Sequence, residues 1–361
     1  MVEFVAHVPH GTPDWESVFL AGGDEALGRW SATGVRLERH GDGTARALVH
    51  LPAGLRVQYL VTRGHWRAAE NDGACRERPP RELVTGDDVR VEFDVQGWGR
   101  ESVRYHGDFS SAHLPHARPI TVYLPPGYDL EPERRYPVLY LHDGQNLFDA
   151  ATAFAGVPWN CDEVAERAIR AGTVEPIIVV GVGNTVDRLR EYGPLQGDDA
   201  WEDLSHAYGR FLVDELKPFI DNTYRTAIGP QRTGVGGSSM GGLISLHLCQ
   251  RHPDVFGRCA AMSPSLWWDR ESLLHDTGLE VGWPRGCRVW LDMGDAEGAS
   301  PTGNLGNLRR TRKLARRFKA MSHIEGRDYT YREVAGGQHN EAAWSARLAE
   351  VLSFLFPARG E

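Results

Sequence analysis

The five residues Gly237-Ser238-Ser239-Met240-Gly241 carry the clearest chemical potential in the sequence. They match the spacing G-x-S-x-G, with a short β-prone run, Thr233 to Gly236, before them and an apolar-periodic stretch after them. A serine between a strand and a helix occupies a strained tight turn. Gly236, Gly237, Gly241 and Gly242 supply the clearance that such a turn needs. The Ser239 hydroxyl is then presented at a helix N-terminus, where unpaired N–H groups and the positive dipole end favour a developing negative charge. Ser239 is therefore the candidate nucleophile and the Met240 N–H one candidate oxyanion donor, while Ser238, one residue early, points into the turn.

A hydroxyl nucleophile needs a base, and on this kind of scaffold the partners follow in the order serine, acid, histidine. The stretch Ala335-Gly336-Gly337-Gln338-His339-Asn340 comes just after the last strand-like run, and its glycines let it fold back across the sheet edge. Of 15 histidines, His339 is the one in such a loop after a late strand. Between serine and histidine, Trp290-Leu291-Asp292-Met293-Gly294-Asp295-Ala296-Glu297-Gly298 ends a strand in a turn with two usable carboxylates, Asp295 and Glu297. Local spacing leaves that choice open. Asp292 lies inside the strand, where a buried partner or plain exposure is the expectation.

The elements that must hold these groups are readable from residue 102 onward as apolar strand cores alternating with helical stretches, the pattern of βα units on a parallel sheet. Strands are expected near 120–124, 137–141, 177–182, 233–236, 288–293 and 330–334, and helices near 162–171, 203–219, 240–251, 307–321 and 341–356. Residues 1–98 read instead as short strands between glycine-rich turns, at 3–7, 17–20, 45–50, 57–61 and 89–95, a small all-β sandwich. The expected division is 1–98 and 99–361, an arrangement that suits 361 residues better than a single core.

The stretch Tyr136-Pro137-Val138-Leu139-Tyr140-Leu141-His142-Asp143-Gly144-Gln145-Asn146-Leu147-Phe148-Asp149, with the later Gly-x-Ser-Met-Gly-Gly, resembles the esterase D-like family of α/β-hydrolases over roughly 102–356. That family includes carbohydrate esterases of family one, enterochelin-type siderophore esterases, S-formylglutathione hydrolases and mycolyltransferases. The resemblance implies an α/β-hydrolase fold with a mostly parallel central sheet and a second oxyanion donor, the N–H of Gln145. It favours Glu297 over Asp295 as the acid, although some siderophore-type relatives manage with a serine–histidine dyad. It also implies that the arginine and glutamate of Asn184 to Pro194 brace a loop near the site. An indole of Trp267 or Trp268, in Ser263-Pro264-Ser265-Leu266-Trp267-Trp268, would line the substrate pocket, with core packing the even alternative for each.

Leu27-Gly28-Arg29-Trp30, Leu51-Pro52-Ala53-Gly54, Val57-Gln58-Tyr59 and Thr62-Arg63-Gly64-His65-Trp66 resemble starch-binding-type carbohydrate-binding modules, with Trp30 as the matching sugar platform. The pattern departs from them at Leu60, where the modules carry a lysine, and at Pro80-Arg81. Trp66 is expected to pack in the sandwich. The alternative is a β-domain that shapes the esterase mouth or mediates dimerisation, so a homodimer is the assembly considered.

Forty Lys and Arg against 49 Asp and Glu give a net charge of −9, which argues against nucleic acid or an anionic membrane as partner. Five scattered cysteines, Cys75, Cys161, Cys249, Cys259 and Cys287, lack the paired spacing of a metal or redox site and read as free thiols. Neither a metal nor another cofactor is expected. Residues 1–13 lack a basic region followed by an apolar one, so a cytoplasmic protein is the expectation, with a secreted mature form as the alternative. The expected activity is hydrolysis, through an acyl-enzyme on Ser239, of a carbohydrate-linked acetyl or feruloyl ester. The alternatives are a siderophore trilactone esterase and an acyltransferase of the same fold.

Overall fold

A computed structural model describes residues 1–361 apart from 10, 11, 13–15, 72–77, 99–101, 129–130, 151, 196–202, 276–285 and 359–361, and apart from the side chains of 67 and 108. Cys75 and Gly99 lie outside the described residues. The chain divides into two compact units, Met1–Asp108 with Pro119–Leu124, and Phe109–Arg118 with Pro125–Glu361.

The first unit contains β1 (Val2–His7), β2 (Val18–Gly22), β3 (Val35–Arg39), β4 (Thr44–Val49), β5 (Arg56–Thr62), β6 (Glu70–Asn71), β7 (Arg81–Val84), β8 (Val89–Asp94) and β9 (Gly97–Trp98). Seven of them follow the order β7-β5-β2-β3-β4-β1-β8. β3 pairs with β2 through Val35–Leu37 and with β4 through Glu38 and Arg39, so one strand joins two leaves. The leaves face one another: Phe4 on β1 meets Tyr59 on β5 edge-on at 5.2 Å, and Val2, Phe4, Leu20, Val57 and Val61 share one buried cluster. The unit runs past the expected 98/99 boundary. In it Tyr105, on β10 (Val103–Phe109), packs on Phe19 at 5.7 Å, and Arg104 reaches buried Glu16 at 3.3 Å. Trp66 is half-buried 6.1 Å from Trp30 and lies outside the cluster that fills the sandwich, contrary to the sequence expectation.

After β11 (Arg118–Tyr123), the second unit supplies β12 (Val138–His142), β13 (Ile178–Val182), β14 (Thr233–Ser238), β15 (Arg258–Met262), β16 (Arg288–Gly294) and β17 (Tyr329–Val334), in the order β13-β12-β14-β15-β16-β17. All neighbours in this series are parallel. Every residue of β12 and β13 is buried, which is why they read in sequence as unbroken apolar runs rather than alternating ones. The helices are α1 (Cys161–Arg170), α2 (Arg188–Tyr192), α3 (Ser205–Arg210), α4 (Lys217–Thr223), α5 (Met240–Arg251), α6 (Trp268–His275), α7 (Pro301–Ala320) and α8 (Glu341–Leu355). A π-helical stretch, Phe211–Leu216, makes one run of α3 and α4.

From β12 the chain adds β13 on one side and then returns to place β14 on the other, after which β15, β16 and β17 follow outward. The order reverses at β12 and β14, and a crevice outside the carboxyl ends of parallel strands at such a point is where ligands bind in this class of fold. Ser239, Gln145, Glu297 and His339 all follow carboxyl ends of these strands. Cys161, Cys249, Cys259 and Cys287 are buried free thiols. Among the described residues no helix is long and apolar enough to cross a membrane.

Candidate active site

Ser239 joins β14 directly to α5 with φ 57° and ψ −120°, a conformation that costs a non-glycine residue about 1–3 kcal/mol. The surroundings hold it there. Its N–H donates to the Met262 carbonyl at 3.0 Å, and its own carbonyl accepts from Ser265 N–H at 3.0 Å and Leu243 N–H at 3.1 Å. The glycines are needed for close approach: a Cβ on Gly236 would stand 2.5 Å from that of Ala260, and one on Gly242 would stand 3.0 Å from the Met262 carbonyl. Ser239 stays half-buried, and Met240, as the first residue of α5, has a backbone N–H with no intrahelical partner.

The Ser239 hydroxyl oxygen lies 2.9 Å from Nε2 of His339, and Nδ1 of His339 lies 2.9 Å from Oε2 of Glu297. His339 is 37% exposed while the Glu297 side chain is wholly buried, so the imidazole faces the crevice and the carboxylate is shielded behind it. Trp344 stands edge-on to the imidazole at 4.9 Å. The two loops touch through glycines, since a Cβ on Gly294 would lie 2.2 Å from the Gly337 carbonyl. Asp295, the other carboxylate left open by the sequence, points elsewhere. It is exposed and accepts from the Gly336 N–H at 2.7 Å, which latches the histidine loop at a residue with φ 68°. Asp292 is fully buried with a partner, Arg347.

On the other side of Ser239, β12 runs into a turn at Asp143, with φ 57°, and then into a short 3₁₀ turn, Gly144–Asn146. A Cβ on Gly144 would strike Gly181 and Val182 at 2.6–2.8 Å, so the Gln145 backbone sits tight against β13. Arg188 grips Asp143 with two hydrogen bonds of 2.6 and 2.7 Å, and Asn184 Nδ2 adds a third at 2.6 Å. Glu191 pairs with Arg118 instead, at 2.7 and 2.8 Å, both side chains fully buried. Thus the loop arginine braces the Asp143 turn, and the loop glutamate ties the loop to Arg118 at the start of β11. His142 is hydrogen-bonded through Nδ1 to the Tyr208 hydroxyl at 2.8 Å, and burial pushes its pKa down to about 3.

Trp267 is 51% exposed, whereas Trp268 is half-buried with its ring against Gly193. They follow Ser265, whose hydroxyl stands 3.2 Å from that of Ser239. Ser265 stood in the serine-rich stretch of the sequence without a role of its own, and Glu341, which is half-buried and accepts from Asn146 Nδ2 at 3.3 Å, carried no motif. Burial raises the Glu341 pKa, Asp143 adds to that, and His339 and Arg188 oppose it. A carboxylate two residues beyond the loop histidine was the available signal. Among the described residues no cluster of three or more His, Cys, Asp or Glu could hold a metal ion. Chemically, a hydroxyl, an imidazole and a buried carboxylate in this sequence can pass a proton from oxygen to nitrogen as the oxygen attacks an electrophile.

Comparisons with known proteins agree with this fold. The sequence model of the Esterase family matches residues 111–355. Ferri-bacillibactin esterase of Bacillus subtilis is 28% identical over 163 residues, 40% of this chain and 53% of that protein, so the chain spans about half its length. A solved ferulic acid esterase is 22% identical with a TM-score of 0.53, covering 70% of this chain and 97% of its own. The enterobactin esterase of Shigella flexneri, solved in the presence of 2,3-dihydroxy-N-benzoyl-glycine, is 16% identical with a TM-score of 0.56, covering 96% of this chain and 89% of its own. These solved structures share the α/β-hydrolase fold, and the family match extends over well more than half of the sequence. The chain is an esterase and belongs to the Esterase family of α/β-hydrolases.

Proposed function

We propose that the chain is a serine esterase that works through an acyl-enzyme on Ser239, and that its substrate is an ester-linked siderophore of the dihydroxybenzoyl-serine kind. The distances support the following mechanism. His339 Nε2 takes the Ser239 proton as Oγ bonds to the ester carbonyl carbon, and Glu297 holds Nδ1–H and the imidazolium. The carbonyl electron pair moves onto oxygen, where the N–H groups of Met240 and Gln145 serve as donors, each worth about 3 kcal/mol of barrier. The tetrahedral adduct collapses and the alkoxide leaves with the proton from His339. Water, deprotonated by His339, then releases the acid and restores Ser239.

The observation that supports the substrate is the extent of likeness. The enterobactin esterase aligns with 96% of this chain, β-rich first unit included, whereas the ferulic acid esterase aligns with 70%. A sequence relative that acts on ferri-bacillibactin supports the same reading. A second reading, a carbohydrate-linked acyl ester, is favoured by Trp30, which is 36% exposed on the first unit beside Trp66.

The test compares the full chain on the cyclic trilactone of 2,3-dihydroxybenzoyl-serine, with and without iron, against methyl ferulate and acetylated xylo-oligosaccharides. The expected result is a kcat/KM on the trilactone at least about 100-fold above the others, a gap of about 2.7 kcal/mol in transition-state binding. The reverse order overturns the siderophore reading in favour of the carbohydrate one. Ser239→Ala is expected to lose about 10⁴-fold or more in kcat while folding normally. Wild-type turnover in that variant would sink the acyl-enzyme.

A further inference from the structure

Behind Glu297 lies a buried polar network that the triad chemistry itself does not use. Glu297 Oε2 faces His339, and Oε1 accepts from Gly294 N–H at 2.7 Å and lies 2.5 Å from the Ser263 hydroxyl. Ser263 is buried, with a φ of 44°, and its N–H donates to Asp292 Oδ1 at 2.9 Å. Its hydroxyl has two further neighbours, Trp344 Nε1 at 3.0 Å and Arg347 Nη2 at 2.7 Å. An indole N–H and a guanidinium can only donate, so both must give their hydrogens to the Ser263 oxygen and occupy its two lone pairs. The one hydroxyl hydrogen is then left to point at Glu297.

Arg347 is itself held by Asp292, through Nε at 2.9 Å and Nη2 at 3.0 Å, and by the Ala343 carbonyl at 2.9 Å. Its Nη2 is also 3.7 Å from Glu297 Oε1. Trp290 Nε1 donates to Asp292 at 2.7 Å, so that carboxylate is fully engaged. One guanidinium thus stands between two fully buried carboxylates, a combination that is stable only when every group is satisfied. Burial raises the Asp292 pKa and Arg347 opposes that; with both carboxylates ionised the cluster carries one net negative charge while His339 is neutral and none once it is protonated.

We propose that Arg347 and Ser263 are positioning residues for the base: Arg347, anchored on Asp292, fixes the Ser263 hydroxyl so that it holds Glu297 against Nδ1 of His339. The inference rests on the reading of Ser239, His339 and Glu297 as the catalytic set. Ser263 sets the direction and strength of the carboxylate, and Arg347 moderates its charge. Loss of either leaves Glu297 a stronger and less directed acceptor, so the base is lost to protonation at a higher pH. Among the described residues the charged groups around the imidazole are Glu297 before α7, Arg347 and Glu341 on α8, Asp292 on β16 and Asp295 on the Gly336 N–H of its own loop, with Asp143 and Arg188 beyond Glu341.

The experiment measures kcat/KM for p-nitrophenyl acetate from about pH 5 to about pH 9 with the full chain carrying Ser263→Ala, Arg347→Met or Arg347→Lys. Ser263→Ala and Arg347→Met are expected to lower kcat about tenfold, to leave KM within about twofold, and to move the acidic limb upward by at least about half a pH unit. Arg347→Lys keeps the charge and is expected to return the limb to the wild-type position. A limb that stays put in Ser263→Ala and Arg347→Met, with wild-type circular dichroism, overturns the proposal. Should Arg347→Met not fold, Ser263→Ala and Arg347→Lys carry the same decision. Ser239→Ala, run alongside, separates the two failures. Activity in that variant rejects the catalytic set. An inactive Ser239→Ala beside unmoved limbs rejects the positioning role alone.

Discussion

The two polar networks that flank Ser239 are made of similar parts and differ in charge. On the base side, Arg347 alone serves two buried carboxylates, Asp292 and Glu297. On the oxyanion side, each cation has its own carboxylate, Arg188 with Asp143 and Arg118 with Glu191, and His142 is kept neutral by burial. The excess negative charge therefore sits where an imidazolium would form, and the balanced pairs sit where an oxyanion would form. A surplus carboxylate on the oxyanion side would oppose that charge. Glu341, the half-buried carboxylate between the two sides, has its pKa raised by burial. On the proposed mechanism, one network would receive a proton and the other would hold backbone N–H groups still.

The largest expected effect lies on the base side. Glu297→Gln removes the negative charge behind His339 and leaves an amide that can hold the wrong imidazole tautomer, so kcat/KM should fall by about 10³- to 10⁴-fold. Asp295→Asn, on a side chain that only latches the Gly336 N–H, should stay within about threefold of wild type. Esterase kinetics on both variants checks this. A greater loss in Asp295→Asn would break the comparison, because the charge of the base side would then come from an exposed turn.

An intermediate effect is expected on the oxyanion side. Arg188→Met leaves Asp143 buried without its cation, which should cost about 3 kcal/mol of stability. It should lower kcat about tenfold as the Gln145 turn loosens, while the acidic limb of the pH profile stays where it is. Chemical denaturation and a pH–rate profile on this variant, set beside Arg347→Met, sharpen the contrast. A limb that moves in Arg188→Met as far as in Arg347→Met would mean that both networks act on the proton.

What was legible in the sequence depended on whether a local backbone demand left a residue signature. The turn at Ser239 and the loop at His339 both need glycines, so both were visible. β12 and β13 were visible because strands buried on both faces are continuous apolar runs. β15, Arg-Cys-Ala-Ala-Met, was not among the expected strands, because small residues packed between β14 and β16 have little β-propensity to show. β3 was missed for the opposite reason, having one buried side chain, Leu37, among charged ones. Asp295 and Glu297 could not be separated by spacing, since what distinguishes them is long-range: Glu297 enters a pocket formed by Ser263, 34 positions away in sequence. Trp66 was expected in the sandwich, but its half-buried indole has Trp30 as a neighbour outside that core.

The smallest expected effect concerns His142, which has Tyr208 and no carboxylate hydrogen-bonded to its ring. Burial sets its pKa at about 3 in the folded chain against about 6.5 when unfolded, so between those values the unfolded chain binds a proton that the folded chain refuses. The sign follows: this contribution is fully present above pH 6.5 and is lost as pH falls, amounting to about 2 kcal/mol of lost stability at pH 5. His106 in the first unit, buried and lowered to about 4, adds a slope of the same sign. His142→Gln should therefore flatten, without abolishing, the fall in stability between about pH 7 and pH 5, measured by urea denaturation at several pH values. An unchanged slope would mean that His142 takes up a proton in the folded state. The oxyanion side would then carry a surplus positive charge below about pH 6.5 rather than matched pairs, and the contrast between the two networks would hold only above that pH.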